Sequence, residues 1–273
     1  MIQESSTREF LTRLKEKNYS PETIKHYRRL FAYFTGGFNR KSVIGYQHHI
    51  RRLQPITRLN YLAKLRKYLK EYYPLLACEI ITPKVPEVLP KKIPDQETVR
   101  NIMQQPDIGS FSGIRDRVIL ELFYSTGIRR KELVNLKVDD IDFSKQIIRI
   151  NQGKNRKDRL LPISRLCLSW LRKYLEKVRP CLNPKSSWIL LSRDGLQMSS
   201  STPYKILKHY ATYSCHKYRH AFATHLLQNG MKETSLQRLL GHSMICTTQV
   251  YTRVTGKELQ TEYRRYHQRD GWK

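Results

Sequence analysis

Prolines at positions 83, 86, 90 and 94, interleaved with Lys84, Lys91 and Lys92, forbid a regular helix or a central strand across this stretch. Each ring locks φ, removes an amide donor and constrains the residue before it. Residues 83–94 therefore read as an extended basic connector, and the chain must fold on either side of it. The expected division is a domain over 1–82, the linker 83–94 and a second domain over 95–273. A chain of 273 residues with 39% hydrophobic content can supply two ordinary cores.

The first domain carries a helical repeat of apolar residues. Ser20-Pro21-Glu22 offers an N-cap followed by proline at the first helical position, and Ile24, Tyr27, Phe31 and Phe34 follow at helical spacing until Gly36-Gly37. The spacing returns at Val43, Tyr46, Ile50 and Leu53, and again at Leu62, Leu65, Leu69 and Tyr72, after a shorter helix through Phe10, Leu11 and Leu14. Four packed helices are expected. Lys25, Arg28, Arg29, Arg51, Arg52, Lys64, Arg66 and Lys67 lie mostly off these stripes. An ordinary solvated face mixes both signs of charge, so this one is read as facing DNA.

The whole chain supports a polyanionic partner. It holds 51 Lys and Arg against 23 Asp and Glu, a formal charge of +28, which points to nucleic acid. The apolar content excludes a disordered polybasic chain. A polar start and the lack of any run of 18 apolar residues predict a cytoplasmic protein. Cys78, Cys167, Cys181, Cys215 and Cys246 are odd in number and form no Cys-x-x-Cys pair, so they read as reduced thiols.

In the second domain, helices are expected near 95–103 and 114–124, the latter stopped by Ser125-Thr126-Gly127 with Gly127 left-handed. Arg129 then opens a helix whose Leu133 and Leu136 face the core, beside an N-terminus that favours an anion. Alone, such an arginine is an ordinary surface residue. Asp139, Asp140 and Asp142 are what a two-metal nuclease would use, but their place between helix and strand suits turn formers. A hairpin pairs 146–150 with 159–163 around Gly153-Lys154-Asn155-Arg156-Lys157-Asp158, a cationic turn that by itself is merely exposed. His216 and Arg219 share a helix face at i and i+3. His220 and His225 add imidazoles, but Lys217 stands where a zinc-protease motif has glutamate, so no metal is expected. Leu236, Leu239 and Leu240 form a buried stripe ending at Gly241, leaving His242 at a helix C-terminus that favours imidazolium. Thr247 or Thr248 can cap a short helix presenting Tyr251. Gly256 can end that helix, and Leu259, Tyr263 and Tyr266 then stripe a tail helix over 257–273, whose apolar face must dock on its own domain or on a neighbouring protomer.

The segments Tyr124-Ser125-Thr126-Gly127-Ile128-Arg129-Arg130-Lys131-Glu132-Leu133, Gly153-Lys154, His216-Lys217-Tyr218-Arg219-His220, Leu239-Leu240-Gly241-His242 and Tyr251 resemble those of the tyrosine recombinases, the phage-integrase and Xer-type family. The resemblance implies a mainly α fold with a small β-sheet: an N-terminal helical core-binding domain and a C-terminal mixed α/β catalytic domain. It also implies a clamp around duplex DNA, Lys154 reaching the scissile site, and covalent linkage to the 3′ phosphate. Strand exchange would proceed through a Holliday junction held by a homotetramer on two DNA sites, the protein being a monomer in solution.

Residue chemistry supplies the roles. Tyr251 is the nucleophile; Arg129 and Arg219 clamp the phosphate oxygens with His242 as a third donor; Lys154 is the general acid and His216 assists tyrosine deprotonation. No cofactor is required. Lys84, Lys91, Lys92, Arg156 and Lys157 join the DNA-contacting cations. An integrase or transposase of a mobile element, or an Xer-like enzyme, is the leading expectation. Two alternatives are a type IB topoisomerase-like enzyme that cuts and reseals one strand, and an inactive DNA-binding protein of the same fold. A clamp on many phosphates predicts that log affinity falls linearly with log salt, with a slope of about −0.9 per phosphate contact. Binding isotherms that stay flat from low to physiological salt would contradict the wrapped duplex.

Overall fold

The computed structural model describes residues 2–85, 93–151, 158–241 and 256–267. The chain separates into two compact units, Met1–Lys91 and Lys92–Lys273. Much of the connector, residues 86–92, lies outside the described residues.

The first unit is helical: α1 (Ile2–Glu16), α2 (Pro21–Phe31), α3 (Arg40–His49), α4 (Pro55–Tyr72) and a single turn, α5 (Pro74–Ala77). Ser20 caps α2, its hydroxyl accepting the Thr23 amide at 3.2 Å, and Asn39 and Ser42 form a reciprocal capping box on α3. The core is aromatic. Phe31 lies 4.7 Å from Tyr68 and Phe34 stacks on Phe38 at 4.4 Å, centroid to centroid, so a small unit gains large buried area from few side chains. Two expected stripes run too long. The α2 helix ends at Phe31, and Phe34 turns inward from the following loop to stack on Phe38. Leu53 lies past the end of α3 and is exposed.

The second unit begins with α6 (Gln96–Gln104), capped by Asp95, and centres on α7 (Phe111–Thr126). The α7 helix is buried on nearly every side, as a helix enclosed by neighbours must be. Ser125 and Thr126 belong to it instead of stopping it, and Gly127 provides the stop at φ 58°. Then follow α8 (Arg130–Val134) and a 3₁₀ turn, Val138–Asp140. An antiparallel sheet comes next, in the order β1 (Ile141–Asp142), β2 (Ile147–Ile150), β3 (Arg159–Pro162). The expected hairpin is present with Ile148 opposite Leu161, and β1 adds a third strand that periodicity could not reveal in two residues. Leu136 faces the core from beyond α8, not from within it.

The aspartates serve their own turn: Asp140 accepts the Lys137 amide at 2.9 Å and Asp142 the Lys145 amide at 2.8 Å. Hydrogen bonds from Ser144 and then Lys145 hold the Asp142 carboxyl down at about 2. The unit continues through α9 (Arg165–Lys177), α10 (Thr202–Tyr210), α11 (Cys215–Gln228), α12 (Glu233–Leu240) and α13 (Gly256–Tyr266). The α13 helix runs from Gly256 and stops at Tyr266, short of the expected span; the helix expected to present Tyr251 lies outside the described residues. Residues 268–273 lie outside the described residues.

The tail helix packs on its own domain. Tyr263 is 1% exposed; its hydroxyl donates to the Ser125 carbonyl at 2.7 Å, and the Asn229 amide donates to the Tyr266 carbonyl at 2.8 Å. Cys78, Cys167, Cys181 and Cys215 are free thiols. Among the described residues, no helix is long and apolar enough to cross a membrane.

Gly127 is a tight point in the packing of α7 on α11. A Cβ there would lie 2.5 Å from Phe222 Cδ1 on α11, on a left-handed backbone that side chains disfavour. Gly127→Ala should therefore cost about 2–4 kcal/mol from strain plus overpacking. Urea unfolding measures this, and a loss below about 0.5 kcal/mol would mean that the α7–α11 contact yields.

Candidate functional site

Three of the residues singled out in the sequence converge. Ile128, Arg129, Arg130, Tyr204, Ser214, Cys215, His216 and Arg219 line one cavity of about 270 Å³. The left-handed turn at Gly127 ends α7 and places Arg129 at the N-cap of α8. Ser214 caps α11, accepting the Lys217 amide, so His216 and Arg219 sit in the first turns of that helix. The i, i+3 spacing puts both toward the cavity, with His216 exposed and Arg219 buried.

The guanidiniums are held by backbone oxygen. Arg129 Nη2 donates to the carbonyls of Leu240 and Gly241, each at 3.1 Å. Arg219 donates to the carbonyls of Gly127 and Leu240. Two arginines 90 positions apart thus share one acceptor, the last carbonyl of α12. That helix terminus carries partial negative charge, and Gly241, at φ 59°, closes it immediately before His242. Arg129 stands at the start of α8 as expected. Its guanidinium bridges Glu132 in the first turn of α8 and the carbonyls at the C-terminus of α12, a contact spacing could not show.

Two residues without an assigned role complete the cluster. Glu132 Oε1 accepts from Arg129 Nη1 at 2.8 Å, and Glu132 Oε2 accepts the Arg129 backbone amide at 2.9 Å. Arg159, at the start of β3, donates from Nη1 and Nη2 to the two oxygens of Glu132 at 2.9 and 2.8 Å, and from Nε to the Leu239 carbonyl at 3.3 Å. The Arg129-to-Glu132 spacing of three is the N-cap to N3 signature and could have flagged Glu132. Nothing local could have flagged Arg159.

Burial alone would raise the Glu132 carboxyl, but hydrogen bonds and charge from Arg159, then bonds from Arg129, hold it at about 2. Arg219 is lowered to about 10, first by burial and then by the nearby Arg129 and Arg159, with Glu132 opposing. Burial, then His220 and Arg219, lower His216 below the usual imidazole range, so at neutral pH it is an uncharged base able to accept a proton. Its Nε2 lies 3.1 Å from Nε2 of His220. Burial raises the Cys215 thiol, leaving it protonated. His225 faces inward, its Nδ1 2.9 Å from the Tyr124 hydroxyl.

Lys154, His242 and Tyr251 lie outside the described residues, as do Thr247, Thr248, Cys246, Lys91, Lys92, Arg156 and Lys157. In the first unit Lys25, Arg28, Arg29, Arg51, Arg52 and Lys67 are exposed, Lys64 is half-buried, and Lys84 in the connector is exposed. Arg66 instead turns inward to donate to the Ile80 carbonyl at 2.6 Å.

Comparison with known proteins gives a consistent picture. Residues 93–258 match the model of the phage integrase family. Tyrosine recombinase XerD of Listeria innocua is 34% identical over 286 aligned positions, covering 93% of this chain and 95% of the relative. Among solved structures, the Tn1549 transposon integrase in complex with transposon right end DNA matches with a TM-score of 0.68 at 16% identity, over 95% of this chain and 98% of the other. A lambda integrase tetramer bound to a Holliday junction matches at 0.64 and 15% identity, over 90% and 80%. These structures share the fold: mainly α with a small sheet.

The depressed Glu132 carboxyl makes a pH prediction. A carboxylate lowered on folding stabilises above its unfolded value, near 4.5, and that stabilisation is lost as pH falls through about 2. Wild type should exceed Glu132→Gln by on the order of 2–3 kcal/mol at neutral pH, with the gap closing in acid. Parallel urea-unfolding curves across that range would refute the ion-paired assignment.

Proposed function

Since this chain belongs to the phage integrase family of tyrosine recombinases, enzymes of site-specific recombination that cleave and rejoin DNA strands, we propose that it recombines duplex DNA through a 3′-phosphotyrosyl intermediate formed on Tyr251. The observation that carries this reading is the meeting of Arg129 and Arg219 on the Leu240 carbonyl, beside His216 and two residues before His242. Two fixed guanidiniums at one point suit the two non-bridging oxygens of a phosphodiester. Because protein dipoles already hold them, they need little reorganisation when charge develops in the transition state.

In the proposed step, the Tyr251 oxygen forms a bond to phosphorus and the bond from phosphorus to the 5′ oxygen breaks. His216, uncharged at neutral pH, takes the tyrosine proton. Lys154 gives a proton to the departing oxygen, so the leaving strand ends in a 5′ hydroxyl. His242 donates a third hydrogen bond. Rejoining runs the same path backward from a new 5′ hydroxyl, with the phosphodiester energy retained in the tyrosyl ester.

Charge stabilisation in this scheme comes from arginine, lysine and histidine, so the reaction is proposed to run without a metal. Lys25, Arg28, Arg29, Arg51, Arg52, Lys64, Lys67, Lys84, Lys91, Lys92, Arg156 and Lys157 are proposed to contact the DNA backbone. The exposed placement of most of those in the first unit supports this. Four protomers on two DNA sites are proposed by likeness to the lambda integrase tetramer.

Tyr251→Phe should bind DNA with unchanged affinity but form no covalent adduct, since only the nucleophilic oxygen is removed. Wild-type adduct should persist in excess EDTA. Denaturing gels of protein trapped on nicked DNA read both results. An adduct in the mutant would exclude Tyr251, and loss on chelation would exclude the metal-free scheme.

A further inference from the structure

Resting on that reading, we infer that Arg159 is a positioning residue for strand cleavage: it pairs with both oxygens of Glu132 and so limits that carboxylate's competition with the scissile phosphate for Arg129. The geometry divides the carboxylate unequally. Arg159 forms the two-pronged pair, one nitrogen to each oxygen at 2.9 and 2.8 Å, the stronger arrangement for a guanidinium. Arg129 gives the carboxylate a single side-chain nitrogen.

Exposure follows the same division. The Arg159 and Glu132 side chains are 11% and 8% exposed, while Arg129 is 26% exposed and lines the cavity. Arg159 does not reach that cavity, so it acts through its partners. The cluster of Arg129, Arg159, Arg219 and Glu132 carries a surplus of two positive charges. Without Arg159 the surplus would be one, and the buried carboxylate would turn its full charge onto Arg129, in competition with phosphate.

Arg159 also joins β3 to the end of α12. Its Nε holds the Leu239 carbonyl, next to the carbonyl that Arg129 and Arg219 share. A Cβ at Gly241 would meet Arg159 Cδ at 3.1 Å, so the glycine lets the stem pass closely beneath the residue preceding His242. From the same side chain the chain runs back into the β2–β3 connection that contains Lys154.

The test separates charge from packing. Single-turnover cleavage of a nicked DNA substrate should slow by at least about tenfold in Arg159→Gln, with DNA affinity within about twofold of wild type, because loss of transition-state stabilisation acts on the rate. Arg159→Lys restores the charge without the fork and should recover most of the rate. The double variant Arg159→Gln with Glu132→Gln removes the uncompensated carboxylate and should cleave faster than Arg159→Gln alone. A purely structural role would make Lys as slow as Gln and the double variant slower still, and either result would overturn the inference.

A second readout does not need cleavage. Carbon NMR of the Glu132 carboxyl should show its titration move up toward the ordinary range in Arg159→Gln. An unmoved titration overturns the inference whatever the activity. If wild type forms no adduct at all, the Tyr251 scheme fails, and this titration still decides whether Arg159 controls Glu132.

Discussion

Glu132 is a carboxylate taken almost completely out of water, and burial of such a charge costs several kcal/mol unless it is paired with good geometry. Here two guanidiniums and a backbone amide meet it. The requirement works in both directions, since three arginines crowded at one place would repel one another without an anion among them. Some of their other donors go to carbonyls at the end of α12 and at Gly127, where the helix terminus adds partial negative charge. The positive surplus is thereby built into the fold, and the proposed phosphate would meet donors already oriented.

The scaffold around this cluster explains its rigidity. The α7 helix is buried on nearly every side and delivers the Gly127 turn, and Phe222 of α11 packs against that turn so closely that a Cβ there would clash. Arg129 and Arg219 are thus placed by one contact, the first following the turn and the second lying one helical turn before Phe222. The α13 helix closes the same region from behind. The Tyr263 hydroxyl holds the Ser125 carbonyl two residues before Gly127, so the seating of the tail bears on the backbone that carries Arg129.

The first unit solves a different problem. Its core is built from rings, with Phe10, Tyr27, Phe31, Phe34, Phe38 and Tyr68 in mutual edge and stacked contacts, which gives short helices enough buried area to hold together. The outward residues are then free to be cations, and most of them are exposed.

Local physics made much of this legible. The helices of the first unit, those near 95–103 and 114–124, the cap at Ser20, the left-handed Gly127 and the shared face of His216 and Arg219 all depend on interactions within about four residues, which spacing reports directly; α9 and α10 are not read from spacing. The limits appear where the chain returns on itself. Arg159 meets Glu132 across 27 positions, and Arg129 meets the Leu240 carbonyl across 111; neither separation leaves a periodic trace. The two-residue strand β1 is too short to alternate, and α2 ends at Phe31, with Phe34 in the following loop stacked on Phe38. Sequence alone thus singled out the candidate residues Arg129, His216 and Arg219 that the fold gathers around one cavity, since residue type and nearest neighbours define such candidates. Tertiary structure decided what holds them and how their charges are shared, because those are properties of groups brought together from distant parts of the chain.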